Sequence, residues 1–262
     1  MPRDSYNLGW KIAGVLQKKL NPVILSTYET ERRPVAEELI ETDQFHLQLF
    51  DTATVTGSEP AWMQEREEAL QPSMQGFAVH YEDSFLTAAT TEKERRPDAV
   101  TPGKRFPQLN VSNHATGKVC AIQSVLKGEG RFHVIVFAGD LSQQPELNRF
   151  NTFGTALEQI EKRIFPASTG KFNVIAVHRT HKTAIELASV ANIFFPADER
   201  TGRDYSRVYC DMETSYEEAG IGERGAVVLV RPDQYVGWCG VLEDVPELTS
   251  YLQPIFEVKK HA

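Results

Sequence analysis

The sequence predicts an α/β protein, in which an N-terminal helical segment leads into a layered sandwich on a mixed sheet. The first observation is a core-strand signature, Phe132-His-Val-Ile-Val-Phe137, bounded by Gly130 and Gly139. A β-rich apolar run bounded this way reads as a strand buried on both faces. The second is repetition: Phe172–Val177, Arg207–Cys210 and Ala226–Val230 are further strand-like runs, with candidate helices between and after them. The third is the resulting order, β-α-β-α-β-β-α. Parallel neighbours need crossover helices, whereas the last two strands need only a hairpin. That arrangement is a thioredoxin-like sandwich.

From the N-terminus, Asp4 to Leu20 reads as a helix, capped by Asp4 or Ser5, with Leu8, Ile12, Val15, Leu16 and then Leu20 along one face. Something should cover that stripe. Gly9 inside the helix predicts close packing against another backbone. Asn21-Pro22 opens a second helix, with Asn as cap and Pro in the first turn, and Pro34 kinks or divides it. Val35 to Phe50 continues as helix, and a third helix is expected from about Pro60 to Met74, followed by a short extended piece from Phe77 to Leu86.

Thr87 to Pro102 is polar, charged and proline-punctuated, so the expected division is a helical segment over 1–86, a linker over 87–102 and a last domain over 103–262. In that domain Lys127–Gly130 reads as a hairpin loop between Lys118–Leu126 and the core strand. Leu147–Phe165, His181–Leu187 and Met212–Ala219 are the expected helices before the hairpin Val227–Val230/Tyr235–Cys239, and Val245–Phe256 is the last helix.

With 41% hydrophobic and 24% charged residues the chain can bury a core. A formal net charge of −8 argues against a nucleic-acid or anionic-membrane surface. No apolar run approaches a membrane span, and Met1-Pro-Arg-Asp has no apolar signal core. Cys120, Cys210 and Cys239 form no Cys-x-x-Cys, so a reducing, cytoplasmic setting and structural thiols are expected.

Several constellations invite chemistry and fail on context. Gly220-Ile-Gly-Glu-Arg-Gly225 fits G-x-G-x-x-G, but it follows a helix and opens a strand, the reverse of what a pyrophosphate site requires. His178-Arg-Thr-His181 offers two metal donors without a third at ligand spacing. Tyr28, Glu31 and Arg32 read as helix-packing groups, with Glu31 and Arg32 pointing to different faces and seeking separate partners. Arg231-Pro-Asp233 reads as the turn of a hairpin and is assigned no chemistry. No catalytic residue, metal ligand or firm cofactor contact is assigned.

Two stretches resemble a known family. Asp4-Ser-Tyr-Asn-Leu-Gly-Trp-Lys11, with Thr27-Tyr-Glu-Thr-Glu-Arg-Arg-Pro-Val-Ala36, is similar to the segment after the second flavin motif of class A FAD-dependent aromatic hydroxylases of the phenol 2-monooxygenase type. Gly225–Val236 resembles the Arg-Pro-Asp hairpin of their C-terminal domain, and Pro102–Pro107 resembles its entry turn. The resemblance implies a thioredoxin-like fold used in subunit association, as a homodimer or against a flavin domain. It places Asp4 and Asn7 at most beside the flavin, with capping the simpler role for both. It also implies FAD, NADPH and O2 acting on a phenolic ring in the complete enzyme. The family's dinucleotide fingerprint and catalytic Asp, Arg and Tyr would lie upstream of Asp4, so tight FAD binding by this chain alone is not expected. The competing reading is a free-standing, non-enzymatic interaction module; a thiol oxidoreductase has no support in the cysteine spacing.

Overall fold

The computed structural model describes residues 2–56, 79–89, 97, 99–165, 172–198, 200, 202–212 and 214–256. Helices α1 (Pro2–Leu16) and α2 (Thr27–Thr56) form the N-terminal segment. Between them runs a 3-10 turn, Pro22–Ser26, capped as expected: the Asn21 side chain accepts from the Val23 N–H. Pro34 does not divide α2. It lies on the exposed side, where water can serve the carbonyl its ring leaves unpaired. The helix expected over 60–74 lies outside the described residues.

Among the described residues the main sheet holds eight strands. They are β1 (Ala88–Ala89), β2 (Asn110–Asn113), β3 (Val119–Ala121), β4 (His133–Gly139), β5 (Asn173–His178), β8 (Val208–Asp211), β9 (Ala226–Val230) and β10 (Val236–Gly240), in the order β1-β10-β9-β4-β5-β8-β2-β3. A separate small hairpin joins β6 (Ala197–Asp198) and β7 (Gly202–Arg203). β4, β5 and β8 run parallel, whereas β9 is antiparallel to both β4 and β10. The helices are α3 (Gln144–Ile164), α4 (Ser215–Glu218) and α5 (Val245–Phe256). This is the predicted α/β class, with α3 as the β4–β5 crossover.

Both sheet faces are covered. Val134, Val136 and Ala138 of β4 enter a core with Phe150, Phe153 and Leu157 of α3 and Leu248 and Leu252 of α5. Ile135 and Phe137 point the other way, against Phe106, Leu109, Ile122 and Tyr216. The stretch 102–107 is seated on the sheet: the Gly103 N–H donates to the Val236 carbonyl at 2.8 Å. Gly103 has φ +82, and a Cβ there would lie 2.1 Å from the Tyr81 carbonyl oxygen, so only glycine fits.

Several expectations are corrected. Lys127–Gly130 is not a hairpin loop, because β3 pairs with β2 while β4 lies between β5 and β9. Local spacing cannot tell a tight turn from a connection that crosses the sheet. His181–Leu187 is not one helix but two 3-10 turns, Lys182–Ala184 and Leu187–Ser189, interrupted by extended backbone at Ile185 and Glu186. Among the described residues nothing lies within 4 Å of where a Gly9 Cβ would sit, so no described backbone packs against it. The largest correction concerns α1. Its buried residues are Asn7, Trp10 and Lys11, while Ile12 and Leu16 of the apolar stripe are 41% and 77% exposed.

Candidate functional site: a buried charge cluster between the helices and the sheet

Asn7, Trp10 and Lys11 share one face of α1, at helical spacing i, i+3, i+4. Glu31 comes from the first turns of α2. Arg231 and Asp233 come from the turn joining β9 and β10, where Gln234 takes φ +67 and its N–H donates to the Arg231 carbonyl at 2.9 Å. Three distant pieces of sequence thus bring two cations and two anions into one dry site. The Arg231 and Lys11 side chains are fully buried, and those of Glu31 and Asp233 nearly so.

Arg231 organises the site. Its two terminal nitrogens donate to Glu31 Oε1 and Oε2 at 2.6 and 2.9 Å, a bidentate fork. Nε and one terminal nitrogen donate to Asp233 Oδ1 and Oδ2 at 3.1 and 2.7 Å. Lys11 Nζ donates to Glu31 Oε2 at 2.8 Å, and Trp10 Nε1 to Asp233 Oδ2 at 3.1 Å. The guanidinium carbon lies 5.5, 5.2 and 5.9 Å from the ring centroids of Trp10, Tyr81 and Tyr235. Tyr81 and Tyr235 stack on each other at 4.4 Å.

The electrostatics follow from burial and pairing. Burial pushes the Glu31 carboxyl up, but Arg231 and Lys11 outweigh it and hold the group at about 2. For Lys11 burial wins over the pull of Glu31, and the ammonium comes down to about 8. For Arg231, burial is outweighed by Asp233 and Glu31, which raise it further. With Lys11 protonated the cluster is neutral in sum. Such a site clamps elements together, and burial brings the Lys11 ammonium toward the neutral range.

The sequence reading missed this site in three places. Glu31 does not serve packing within the helical segment alone but reaches the sheet domain. Arg231 and Asp233 do form the expected turn, yet their side chains are its interior. Asn7 is no cap: it sits mid-helix, and its amide nitrogen donates to Glu31 Oε2 at 2.8 Å and lies 3.3 Å from both Tyr81 OH and Asp233 Oδ2. Two signals were legible: a polar pair on one helix face beside a Trp, and a charged pair held between two wholly buried strands. Arg32 turns instead to Tyr81 OH at 3.2 Å. The side chain of Asp4 lies outside the described residues. His181 accepts from the Thr183 N–H and caps a turn, apart from buried His178.

Among the described residues, neither Gly220–Gly225 nor Asn7 forms a pyrophosphate cradle. Gly220–Gly225 joins α4 to β9, and Gly225 has φ +66 with its Cβ position 2.1 Å from the Phe137 carbonyl, a packing glycine with no phosphate-facing role. Asn7 has only its Oδ1 left without a partner, a buried acceptor and not a cradle of donors. Among the described residues no helix is long and apolar enough to cross a membrane.

Comparison with known proteins places this architecture. A family model described as phenol hydroxylase, C-terminal dimerisation domain, matches residues 79–260, and an FAD binding domain model matches residues 3–43. The FAD-dependent monooxygenase ankC of Aspergillus thermomutatus is 84% identical, over 99% of this chain and 44% of its own length. Phenol 2-monooxygenase fsqG of Aspergillus fumigatus is 32% identical, over 95% of this chain and 43% of its own. The chain therefore spans less than half the length of these curated relatives. Among solved structures, the flavin-dependent monooxygenase PieE in complex with FAD and substrate matches with a TM-score of 0.58 at 19% identity, over 96% of this chain and 43% of that one. Aklavinone-11 hydroxylase in complex with FAD and aklavinone matches with a TM-score of 0.58 at 21% identity, over 97% and 39%. Both likenesses are of fold. The chain belongs to the phenol hydroxylase family of FAD-dependent aromatic monooxygenases, and carries that family's C-terminal dimerisation domain together with a stretch that matches an FAD binding domain.

Proposed function

We propose that this chain acts as the C-terminal portion of an FAD- and NADPH-dependent monooxygenase of phenolic rings, supplying subunit association and not the catalytic centre. In this reading residues 1–86 are the tail of the FAD and substrate domain, 87–102 the linker, whose Ala88–Ala89 joins the sheet edge as β1, and 103–262 the association domain, which pairs as a homodimer. The observation that carries the reading is the partial burial of α1. The helix turns Asn7, Trp10 and Lys11 onto the charge cluster and Val15 onto the core, and leaves Ile12 and Leu16 outward. A helix so arranged has a second neighbour to make, because an outward apolar stripe marks an interface. The rest of a flavin domain is the fitting neighbour, since the FAD-domain match covers residues 3–43, α1 and the first part of α2.

The test is the visible spectrum of the purified chain after incubation with excess FAD and desalting, followed by sedimentation. A colourless protein that sediments as a dimer is expected. Flavin retained near one per chain would overturn the assignment of the cofactor site elsewhere, and a strictly monomeric chain would overturn the association role.

A further inference from the structure

At the far end of the sheet from the charge cluster's hairpin partner β10, three adjacent strands bring together side chains that lie 32 and 64 residues apart in sequence. His178 ends β5, Cys210 lies in β8, and His114 follows directly on β2; His178 and Cys210 are register partners. The His114 N–H donates to the Val208 carbonyl at 2.9 Å, which fixes the third residue to the same ladder. His114 Nδ1 and His178 Nε2 are 2.9 Å apart, and Cys210 Sγ lies 3.7 Å from each. The donor atoms form a compact triangle, all within 4.8 Å of one another.

That triangle is close to what a metal ion requires. With Zn–N of about 2.0–2.1 Å and Zn–S of about 2.3 Å, a tetrahedral centre sets nitrogen–sulfur distances of roughly 3.5–3.6 Å and a nitrogen–nitrogen distance of roughly 3.3 Å. The sulfur distances already agree, and the two rings need to part by only about half an ångström. His178 is fully buried with Nε2 aimed into the triangle. Its Nδ1 has no hydrogen-bond partner among the described residues. Cys210 is partly exposed and His114 only slightly so, which leaves a path from solvent to a fourth position. Lys182 and Glu186 flank the site with opposite charges, acting in opposite senses on His114.

We propose that His114 Nδ1, His178 Nε2 and Cys210 Sγ form a three-ligand site for a divalent transition metal of borderline softness, with Zn²⁺ the fitting ion and water in the fourth position. Two imidazoles and a thiolate select against Mg²⁺ and Ca²⁺, which take oxygen ligands. On binding, the thiol loses its proton to solvent and the ion crosslinks β5, β8 and the end of β2. Nothing in this proposal depends on the association reading above.

The test uses the full chain, stripped of metal under reducing conditions and titrated with Zn²⁺ or Co²⁺. About one equivalent of Zn²⁺ should survive gel filtration, and the Co²⁺ form should show a thiolate-to-metal charge-transfer band. Cys210→Ser and His114→Asn should each lose roughly 100-fold in Zn²⁺ affinity, and Cys210→Ser should also lose the band. Cys120→Ser and His181→Gln should keep both. Circular dichroism on Cys210→Ser, a change of one partly exposed atom, separates metal loss from unfolding. Less than a tenth of an equivalent bound, binding equal in the two ligand variants and the parent, or a Co²⁺ complex without the thiolate band would overturn the proposal and leave only a hydrogen-bonded His–His–Cys cluster.

Discussion

Arg231 is the residue on which the two parts of the chain meet. Its guanidinium satisfies two carboxylates and lies against three aromatic rings, with no exposure to water. Removing one partner of a buried ion pair leaves the other charge unpaired, at a cost of roughly 3–5 kcal/mol. Glu31→Gln and Arg231→Met should therefore each lower stability by about that amount, read as a fall in the urea midpoint at constant slope. Arg231→Lys should be nearly as harmful, because an ammonium cannot form the fork to Glu31. By contrast Arg33 pairs with Glu29 and Glu37 on the surface, with its side chain 67% exposed. Arg33→Ala should change the midpoint by less than about 0.5 kcal/mol equivalent. Equal effects at positions 31 and 33 would show that the buried cluster carries no stability.

Among the elements, α1 buries its apolar stripe only in part. Periodicity identified the helix, but periodicity says which face is apolar and not which neighbour is present. Here an ion cluster draws Asn7 and Lys11 inward with Trp10, Val15 packs on the core, and Ile12 and Leu16 stay outside. The expected consequence is an inverted tolerance to substitution. Leu16→Ser should leave chemical stability within about 0.5 kcal/mol, since the side chain is exposed. Trp10→Ala, which removes a ring packed edge-on to Phe132 at 5.6 Å and a donor to Asp233, should cost roughly 3–5 kcal/mol. Denaturation curves of the two variants decide it; a larger loss for Leu16→Ser would mean that the stripe is covered within this chain. The strands tell the opposite story. Phe132–Phe137, Phe172–Val177 and Ala226–Val230 were legible because a strand buried on both faces has to be apolar throughout. The partners of Lys11, His178 and Arg231 were not legible, because each pairing depends on sheet order and on separations far beyond any local period. The same limit explains the misread Lys127–Gly130 connection: both a hairpin and a crossing need glycine and charge there.

For the molecule as a whole, stability should depend on pH through the cluster. Unfolded, Glu31 takes up a proton near its ordinary 4.5; folded, it does so only at about 2. Between those values the unfolded chain binds more protons, so stability erodes as pH falls through that window. The contribution is fully present above 4.5 and gone at about 2. Lys11 acts at the other end. Folded it titrates at about 8 against an ordinary 10.5, so again the unfolded chain holds more protons in between, and its contribution rises with pH there. Urea midpoints of the parent and Glu31→Gln, measured from pH 7 down to 3, should converge below 4.5; parallel curves would separate acid sensitivity from this carboxylate.

The spacing of the cluster also sets a timetable. Glu31 and Arg231 are 200 residues apart, whereas Arg231 and Asp233 are two apart. At roughly 5–20 residues per second of synthesis, the carboxylate leaves the ribosome some 10–40 s before the guanidinium that will hold it. During that interval Lys11, made earlier still and only 20 residues from Glu31, is its available counter-charge. The nascent helices wait for a hairpin made 200 residues after Glu31, so joining them to the sheet follows their own formation.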